Sequence, residues 1–278
     1  MNRRDFIYKT TLAATGFISG AAYGQLARLG TSRVLSVGTM GGLQVGFKSY
    51  QQSLALNDKE LVLTFDDGPI TGSTTKVLDA LLSQNVKATF FLIGRNAASN
   101  PALVRRMAAE GHTIATHSQT HPMTLRDMNE LAAQQNIETG IASVTQALGF
   151  PPAPFFRYPG FGDSPALNTW LASKNIGVFG TDIWASDWIN MTPETQLNLL
   201  MRRIRNAGRG IVLLHDIRTQ TAQIMPQFLS TLKNEGYKIV HMVAGEGIAP
   251  LRYAPNGWHS ETEAFLQHRK SQWPLGMQ

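Results

Sequence analysis

Residues 61–69 read Leu-Val-Leu-Thr-Phe-Asp-Asp-Gly-Pro, and the rest of the chain is organised around this stretch. Its first five residues form an apolar, strand-forming run, which is typical of a strand buried on both faces. Gly68-Pro69 then turns the chain and leaves Asp66 and Asp67 at the carboxyl end of the strand. In parallel α/β folds, ligands bind at this end. A lone Asp-Gly is often only a turn, but two adjacent carboxylates repel each other unless a cation or a proton relieves them.

Strand-like and helix-like segments alternate along the chain after this stretch. Further strands are predicted for residues 88–94, 112–117, 155–159, 177–183, 210–215 and 238–243. Helices are predicted to begin near residue 73 and to cover residues 101–111, 129–148, 167–174, 193–207 and 222–234. Such strand–helix alternation with short connections predicts an α/β fold with a parallel sheet. The periodicity does not decide whether the sheet closes into a barrel.

Length and composition indicate a folded domain and exclude several kinds of site. With 278 residues, 43% of them hydrophobic, the chain can form one large domain or two small ones with a substantial core. The net charge of +6 does not indicate nucleic-acid binding, because no basic face interleaved with aromatic residues occurs. The densest basic group, near the end of a predicted helix, is Arg202, Arg203, Arg205 and Arg209. The chain has no cysteine, which excludes disulfides and thiolate metal sites.

The first 24 residues have the layout of a twin-arginine export signal. Arg3-Arg4 is followed by an aromatic residue, Phe6, and by a moderately apolar run from Thr10 to about Tyr23. This run is too short for a comfortable transmembrane helix, and the small residues near its end suit a cleavage site. We therefore expect the twin-arginine export machinery to deliver the protein to the periplasm or the exterior. The alternative is an uncleaved helix that anchors it to the membrane.

The remaining chain divides into three parts according to its patterning. Residues 25–58 are Gly-rich and weakly patterned, and we interpret them as an N-terminal extension. Residues 59–248 carry the alternating strands and helices and are predicted to form a single folded domain. Residues 249–278 lose the pattern, and we interpret them as a C-terminal tail that packs on the domain or frays.

Polar residues follow five of the predicted strands at the point where each strand ends. They are Asp66 and Asp67, His117 and His121, Arg157, Asp187 with Trp188, and His215 with Asp216. The carboxyl ends of parallel strands lie at one face of the sheet, so we expect these side chains to converge there. Turn formation and core packing do not account for five such placements.

The spacing of His117 and His121 suits two imidazoles that bind one metal ion. Because a proline follows them, the segment is predicted to be a loop and not a helix. Asp67 completes a set of two His and one Asp, and three protein ligands with an open position are typical of a catalytic zinc site. Hydrolysis at such a site also needs a base and an acid. Asp66 is the candidate base, and His215, from a different strand, is the candidate acid.

These residues occur in motifs that resemble those of the polysaccharide deacetylase (NodB-homology) family of carbohydrate esterases. The motifs are Thr-Phe-Asp-Asp-Gly-Pro at 64–69, His-Ser-Gln-Thr-His-Pro at 117–122, Arg-Tyr-Pro at 157–159, Asp-Trp at 187–188 and Leu-Leu-His-Asp at 213–216. All five occur in the family's order, and the resemblance covers residues 60–243. The first two motifs are specific, whereas the other three are weak when taken alone.

The resemblance implies a distorted (β/α) barrel with about seven parallel strands and metal-dependent hydrolysis of N-acetyl groups on sugars. It implies Asp66 as the general base, and Asp67, His117 and His121 as ligands of one divalent ion, with zinc favoured. It further implies that Arg157 contacts Asp66 and that the Tyr158 backbone N–H binds the oxyanion. It implies His215 as the general acid, with its pKa tuned by Asp187. Trp188 and Leu213 would form a wall around the acetyl methyl group.

Two positions depart from the family pattern. The fourth motif commonly has an acidic residue three places before its Asp-Trp pair, where this chain has Trp184, with Asp182 two residues earlier. The third motif commonly continues with an aromatic residue after its proline, whereas here Gly160 comes before Phe161. Both changes concern the substrate wall more than the metal ligands, so they bear on which sugar is accepted.

The expected function is removal of N-acetyl groups from N-acetylglucosamine in a polysaccharide, namely peptidoglycan, a chitin-like polymer or a secreted glycan, with release of acetate. One alternative is a related hydrolase that acts on a small amide or formamide. Another is a carbohydrate-binding protein that has lost turnover, although Asp66 and His215 are both present. A metal-dependent phosphoesterase is disfavoured, because the chain has no Gly-rich phosphate loop and no second carboxylate cluster.

Overall fold

The computed structural model describes residues 28–272 and contains a mainly parallel sheet covered by helices. The strands are β1 (Thr31–Val37), β2 (Gln44–Val45), β3 (Gln52–Leu54), β4 (Glu60–Asp66), β5 (Thr89–Leu92), β6 (Thr113–Thr116), β7 (Phe155–Phe156), β8 (Gly177–Phe179), β9 (Ile183–Trp184), β10 (Gly210–His215), β11 (Lys238–Ala244) and β12 (Leu251–Tyr253). The α-helices are α1 (Ser73–Ser83), α2 (Gly94–Ser99), α3 (Pro101–Ala109), α4 (Glu130–Leu148), α5 (Pro165–Ser173), α6 (Pro193–Ala207), α7 (Thr219–Asn234) and α8 (Glu261–Gln272). Every strand and helix predicted from the sequence is present, with ends that differ by at most a few residues.

The strand β4 is the centre of the sheet, because three other strands pair with it. β10 pairs with residues 61–66 of β4 and thus takes up one edge of that strand. β11 pairs with residues 60–61 and β5 with residues 64–66, so these two strands share the opposite edge. The strand order β1-β11-β4-β5-β6-β7-β8-β2, with β10 beside β4 and β9 beside β10, is parallel throughout. The predicted α/β fold with a distorted barrel is confirmed.

Ten strands belong to this sheet, where about seven were expected. The predicted strand at 177–183 is two short strands, β8 and β9, because the chain bends between them. The other two additional strands, β1 and β2, come from the segment that was expected to be an extension. β1 pairs with β11 and β2 with β8, so this segment lies within the sheet. Glycines around these two strands, and the two-residue length of β2, weaken the local pattern that would have indicated them.

The two faces of β4 enter different parts of the core. Leucine and phenylalanine side chains at positions 61, 63 and 65 pack against helices α1, α6 and α7 outside the sheet. Val62 belongs to a second apolar cluster on the inner side of the sheet. Because successive side chains alternate across a strand, Thr64 and Asp66 point to the same inner side as Val62. Each fully buried Leu or Phe contributes about 1.5–3 kcal/mol, so the apolar residues determine the register that turns Asp66 inward.

The C-terminal segment packs against residues 47–54 beside the sheet. β3 pairs antiparallel with β12, and the Trp258 indole N–H donates to the Phe47 carbonyl oxygen at 2.7 Å. Arg126 forms an ion pair with Glu263 of α8 at 2.9 Å. Exposed ion pairs contribute only about 0–1 kcal/mol to stability. The pairing of β3 with β12 and the Trp258 contact therefore do more than this ion pair to anchor the C-terminal segment. The tail therefore packs on the domain as far as α8.

No helix within residues 28–272 is both long enough and apolar enough to cross a bilayer. The predicted export signal at residues 1–24 lies outside the described residues. The domain boundaries at 59 and 248 stay a prediction.

Candidate metal centre and active site

The predicted site residues surround one cavity of about 300 Å³ at the carboxyl ends of β4, β6 and β10. Those that line it are Asp66, Asp67, His117, His121, Tyr158, Trp188, Leu213 and His215. Arg157 and Asp187 are fully buried behind them, each in contact with one of the lining residues. The convergence that was predicted from the strand ends is therefore observed.

Asp67, His117 and His121 form a group that could hold a metal ion. The Asp67 Oδ1 atom lies 3.3 Å from His121 Nε2 and 3.6 Å from His117 Nε2. Among residues 28–272 this is the single set of three or more such side chains whose ligand atoms all lie within 4.8 Å of one another. Asp67 Oδ1 is buried and has no hydrogen-bond donor within the described chain, although buried oxygens are normally satisfied. A divalent cation between these atoms would satisfy it.

The protonation of the two imidazoles also suits a metal ion. His117 Nδ1 lies 2.6 Å from the carbonyl oxygen of Arg157, so Nδ1–H donates there and the Nε2 lone pair faces Asp67. Burial lowers the pKa of His117 and of His121 below the ordinary value, which keeps both rings neutral near pH 7. Neutral imidazole and carboxylate are the ligands that zinc and other first-row metals accept.

The segment that carries the two histidines is a loop, as predicted, and its backbone is constrained. Ser118 and His121 both have a left-handed backbone, with φ of 64° and 59°. The Ser118 hydroxyl accepts from the His121 backbone N–H at 3.1 Å, and Asn136 of α4 accepts from the Gln119 backbone N–H. Gly140 of α4 lies against this loop so closely that a Cβ there would sit 2.6 Å from the Ser118 carbonyl carbon. The close approach of α4 therefore holds the loop in place, a role that the sequence pattern does not reveal.

Asp66 is held by Arg157, as the resemblance implied. Arg157 Nη1 donates to Asp66 Oδ1 at 2.6 Å, and its other donors bond to Thr64 and to the carbonyl oxygens of Phe179 and Gly180. Each nitrogen of the guanidinium thus has at least one partner, which a buried charge requires. Burial raises the pKa of Asp66 to about 6, although Arg157 acts in the opposite direction. The carboxylate is ionised near neutral pH and fixed in one orientation.

His215 is held by Asp187 on the opposite side of the cavity. The His215 Nδ1 atom lies 2.7 Å from Asp187 Oδ1, and Asp187 Oδ2 accepts from the Thr221 hydroxyl at 2.7 Å. Burial alone would lower the pKa of His215, but Asp187 and the site carboxylates outweigh it and raise the pKa to about 9. The Trp188 ring stands at right angles to the imidazole, 5.8 Å away between centroids. Nε2 of a protonated ring therefore faces the cavity.

The side chain that follows the candidate acid, Asp216, does not line the cavity. Its carboxylate is fully buried, accepts a hydrogen bond from the Thr74 hydroxyl and packs against Gly68. The Thr74 hydroxyl in turn accepts from the Ile70 backbone N–H at 2.9 Å. Burial raises the pKa of Asp216 to about 7. Asp216 therefore supports the turn that carries Asp67 and does not face the reaction.

Several side chains to which the sequence assigned no role also line the cavity: Met123, Phe161, Trp184, Arg218 and Phe265. Trp184 stands at the centre of an aromatic group, with ring centroids 6.1 Å from Phe161, 6.1 Å from Phe265 and 6.0 Å from Trp188. Trp184 stands at one of the two positions that depart from the family pattern, and Phe161 directly follows the other, Gly160. Phe265 comes from α8, and the sequence of that segment has no pattern that predicts a side chain in the cavity.

Comparisons with known proteins agree with this geometry. A family model for polysaccharide deacetylases matches residues 54–178. A chitin deacetylase of Colletotrichum lindemuthianum is 32% identical over 214 residues, which cover 72% of this chain and 82% of that protein. A peptidoglycan-N-acetylglucosamine deacetylase of Listeria monocytogenes is 33% identical over 189 residues, which cover 67% of this chain and 38% of that protein.

Among solved structures, a peptidoglycan deacetylase of Bdellovibrio bacteriovorus aligns with a TM-score of 0.72 and 33% identity. The alignment covers 80% of this chain and 61% of that one. The chain thus spans less than two thirds of the Listeria and Bdellovibrio proteins but most of the fungal one. The similarity thus covers 72–80% of this chain, and the chain belongs to the polysaccharide deacetylase family.

Proposed function

We propose that this protein is a metal-dependent hydrolase that removes N-acetyl groups from N-acetylglucosamine in a polysaccharide and releases acetate. The observation that carries the proposal is the arrangement of one cavity, in which a metal-binding group lies between a held carboxylate and a held imidazole. This arrangement supplies a place for the reacting amide, a base and an acid, which are the parts that such a hydrolysis needs. The names of the relatives support the same chemistry.

Asp67, His117 and His121 would hold the divalent ion, and ligand type favours zinc, though other first-row ions also suit imidazole and carboxylate. When bound, the ion would polarise the amide carbonyl and acidify the attacking water. Asp67 and His117 are buried and His121 is half-buried, and all three line the cavity, so an ion held there would be in contact with the substrate site. These three residues thus place the reacting amide next to Asp66.

Asp66 would take the proton from the attacking water. The Arg157 guanidinium holds one carboxylate oxygen at 2.6 Å, which leaves Oδ2 for the proton. A pKa of about 6 lets this carboxylate be ionised at neutral pH while it is still basic enough to accept a proton. Positioned acids and bases of this kind contribute typically about 10²–10⁴-fold each.

His215 would give a proton to the amine nitrogen as the C–N bond breaks. Its pKa of about 9 keeps the imidazolium charged at neutral pH, and Asp187 directs Nε2 towards the cavity. The Tyr158 backbone N–H makes no hydrogen bond within residues 28–272, so it is available to the oxyanion of the tetrahedral intermediate. Trp188 and Leu213 offer apolar surface for the acetyl methyl group.

The substrate is proposed to be an envelope or secreted glycan. A cavity of about 300 Å³ has room for one acetylated sugar ring, and the aromatic group around Trp184 offers flat faces of the kind on which sugar rings pack. The twin arginines at residues 3 and 4 support export to the periplasm or the exterior, where such polymers occur.

Acetate release from a panel of substrates tests the proposal. The purified, metal-loaded protein is incubated with N-acetylglucosamine, with N-acetylglucosamine oligomers of increasing length, with peptidoglycan and with a small non-sugar amide, each with and without chelator. We expect release from the polymers and longer oligomers that the chelator abolishes. Equal turnover of the monosaccharide or of the small amide would favour the small-amide hydrolase instead. Binding of oligomers without any release would favour the silent carbohydrate-binding protein.

A further inference from the structure

Arg218 lines the cavity but takes no part in the reaction described above. Its side chain makes no hydrogen bond and no ion pair within residues 28–272, and its Nε atom is buried without a partner. No other guanidinium nitrogen of the described chain is left in this state. Arg157, by comparison, is completely buried, and each of its guanidinium nitrogens has a hydrogen-bond partner.

A guanidinium in this state lacks the partner that its chemistry calls for. The side chain is half-buried, and its buried Nε donor has lost hydration without gaining a protein partner, which is more unfavourable for a charged group than for a neutral one. Arginine offers five donors in a planar fork that matches a carboxylate, and bidentate pairs are among the strongest hydrogen bonds in proteins. The missing partner of Arg218 is therefore best supplied by an anion that enters the cavity.

The protein's own carboxylates around the cavity are engaged elsewhere. Asp66 is paired with Arg157 at 2.6 Å, and Asp187 is bound to His215 and Thr221. Asp67 lies with the two histidines of the metal-binding group. None of them is an ion-pair partner of Arg218, so an anion that pairs with this guanidinium comes from outside the described chain.

The position of Arg218 indicates which part of the substrate carries this anion. Arg218 follows His215 by three residues, its backbone N–H donates to the His215 carbonyl oxygen at 3.2 Å, and both side chains line the same cavity. Under the proposed function, His215 protonates the nitrogen that is attached to the sugar ring. A sugar that presents its nitrogen to His215 therefore lies in the cavity that Arg218 also lines, which brings the glycan within reach of the guanidinium.

We propose that Arg218 binds a carboxylate carried by the glycan on a sugar next to the reacting N-acetylglucosamine, and so favours anionic N-acetylated glycans over neutral ones. This inference rests on the proposed function for its substrate class. Peptidoglycan strands carry such carboxylates next to acetamido groups, whereas chitin carries none. The side chain of Arg218 would therefore make the protein bind peptidoglycan more tightly than chitin.

Equilibrium binding tests the inference without turnover. The protein is used in its metal-loaded Asp66→Asn form, and the ligands are a peptidoglycan tetrasaccharide without peptides and the same tetrasaccharide with its carboxyl groups methyl-esterified. We expect the free acid to bind roughly 10–100-fold more tightly than the ester, which corresponds to one charged hydrogen-bonded pair. Adding Arg218→Gln should bring this ratio close to one, and Arg218→Lys should leave it at an intermediate value because lysine keeps the charge but loses the fork.

The matched control is Arg202→Gln, which removes an exposed arginine of α6 that does not line the cavity. It should keep the ratio of the parent protein. Thermal unfolding of each variant checks that the fold is retained. Equal affinity of the parent protein for acid and ester, or an unchanged ratio in Arg218→Gln, would overturn the inference.

A second pair of ligands identifies the sugar that carries the anion. N-acetylmuramic acid and its methyl ester should bind with a ratio near one, because the carboxylate is expected on the neighbour of the reacting N-acetylglucosamine. A ratio as large as that of the tetrasaccharide would place the carboxylate on the reacting sugar and would make N-acetylmuramic acid the sugar that is deacetylated. Either outcome supports Arg218 as the anion contact when the tetrasaccharide ratio depends on it. Because affinity is measured, absence of acetate release from every glycan would refute the proposed reaction and leave this result standing.

Discussion

The carboxylate of Asp187 holds His215 at two points. Oδ1 lies 2.7 Å from the imidazole Nδ1, and Oδ2 accepts from the His215 backbone N–H, also at 2.7 Å. One carboxylate thus fixes both the backbone and the ring of the same residue. This explains why the imidazole can be buried, protonated and directed at the cavity at once.

Replacement of Asp187 by Asn should lower the pKa of His215. Asp187 raises that pKa against the effect of burial, so without its charge burial is opposed only by the more distant carboxylates. We expect an imidazole titration by NMR to move from about 9 in the parent, measured metal-free, to a lower value, and kcat/KM to fall by about 10²–10⁴-fold. Asp79→Asn, an exposed carboxylate of α1, is the control. An unchanged His215 pKa would contradict the role of Asp187.

Asp66→Asn and His117→Ala should separate the base from the metal ligands. Asp66→Asn should retain the metal and lose about 10²–10⁴-fold in activity, because it removes a base. His117→Ala should lose both metal occupancy and activity, because it removes a ligand. Elemental analysis beside acetate release measures the two effects. Full occupancy in His117→Ala, or loss of metal in Asp66→Asn, would mean that the two roles have been assigned to the wrong residues.

Gly140→Ala should disturb the metal site from a distance. Alanine is intrinsically more favourable than glycine inside a helix by about 1 kcal/mol, so with free space the change would stabilise α4. Here the new Cβ would lie 2.6 Å and 2.8 Å from backbone atoms of Ser118 and Gln119, which have to move. We expect a destabilisation of about 1–3 kcal/mol in urea unfolding and weaker metal binding. Thr139→Ala, at the exposed neighbouring position, should change neither, and a stabilised Gly140→Ala protein would refute the contact.

His112 should make the protein sensitive to acid. Burial lowers its pKa to about 3, with a smaller contribution from Lys87, while the unfolded chain has the ordinary value of 6.5. The native state thus binds the proton more weakly, so stability is fully present above pH 6.5 and is lost as the pH falls towards 3. One such group contributes a slope of up to about 1.4 kcal/mol per pH unit. Between pH 7 and pH 4.5, the free energy of urea unfolding should therefore fall less in His112→Asn than in the parent. An equal fall in both proteins would exclude His112 as a cause of the acid sensitivity.

Export should depend on the paired arginines at the start of the chain. Changing Arg3 and Arg4 together to Lys should leave the precursor in the cytoplasm, because the twin-arginine machinery recognises the pair. Fractionation followed by immunoblotting measures the distribution, with Lys9→Arg as a control that alters a nearby cation only. Continued arrival outside the inner membrane would indicate another route or a plain membrane anchor.

Much of the site could be predicted from the sequence because it depends on short segments. The apolar run before Asp66 indicates a buried strand, and the glycine and proline after Asp67 end it. The same logic places His117 and His215 at strand ends, and parallel strands bring their carboxyl ends to one face. Local pattern and a general rule of sheet geometry were enough for this convergence, which the structure confirms.

The contacts that make the site work were decided by the tertiary structure alone. The fit of Gly140 against the loop at Ser118 and the place of Phe265 in the cavity join residues that are 22 or more positions apart. The unpaired state of Arg218 is likewise visible only when every neighbouring carboxylate has been located. Such contacts depend on strand register, helix packing and the path of the chain ends, and none of these leaves a periodic pattern near the residue concerned. Local sequence thus determined which groups reach the catalytic face, whereas packing between distant segments determined how each one is held, because a hydrogen bond or a close approach exists only once both partners are in place.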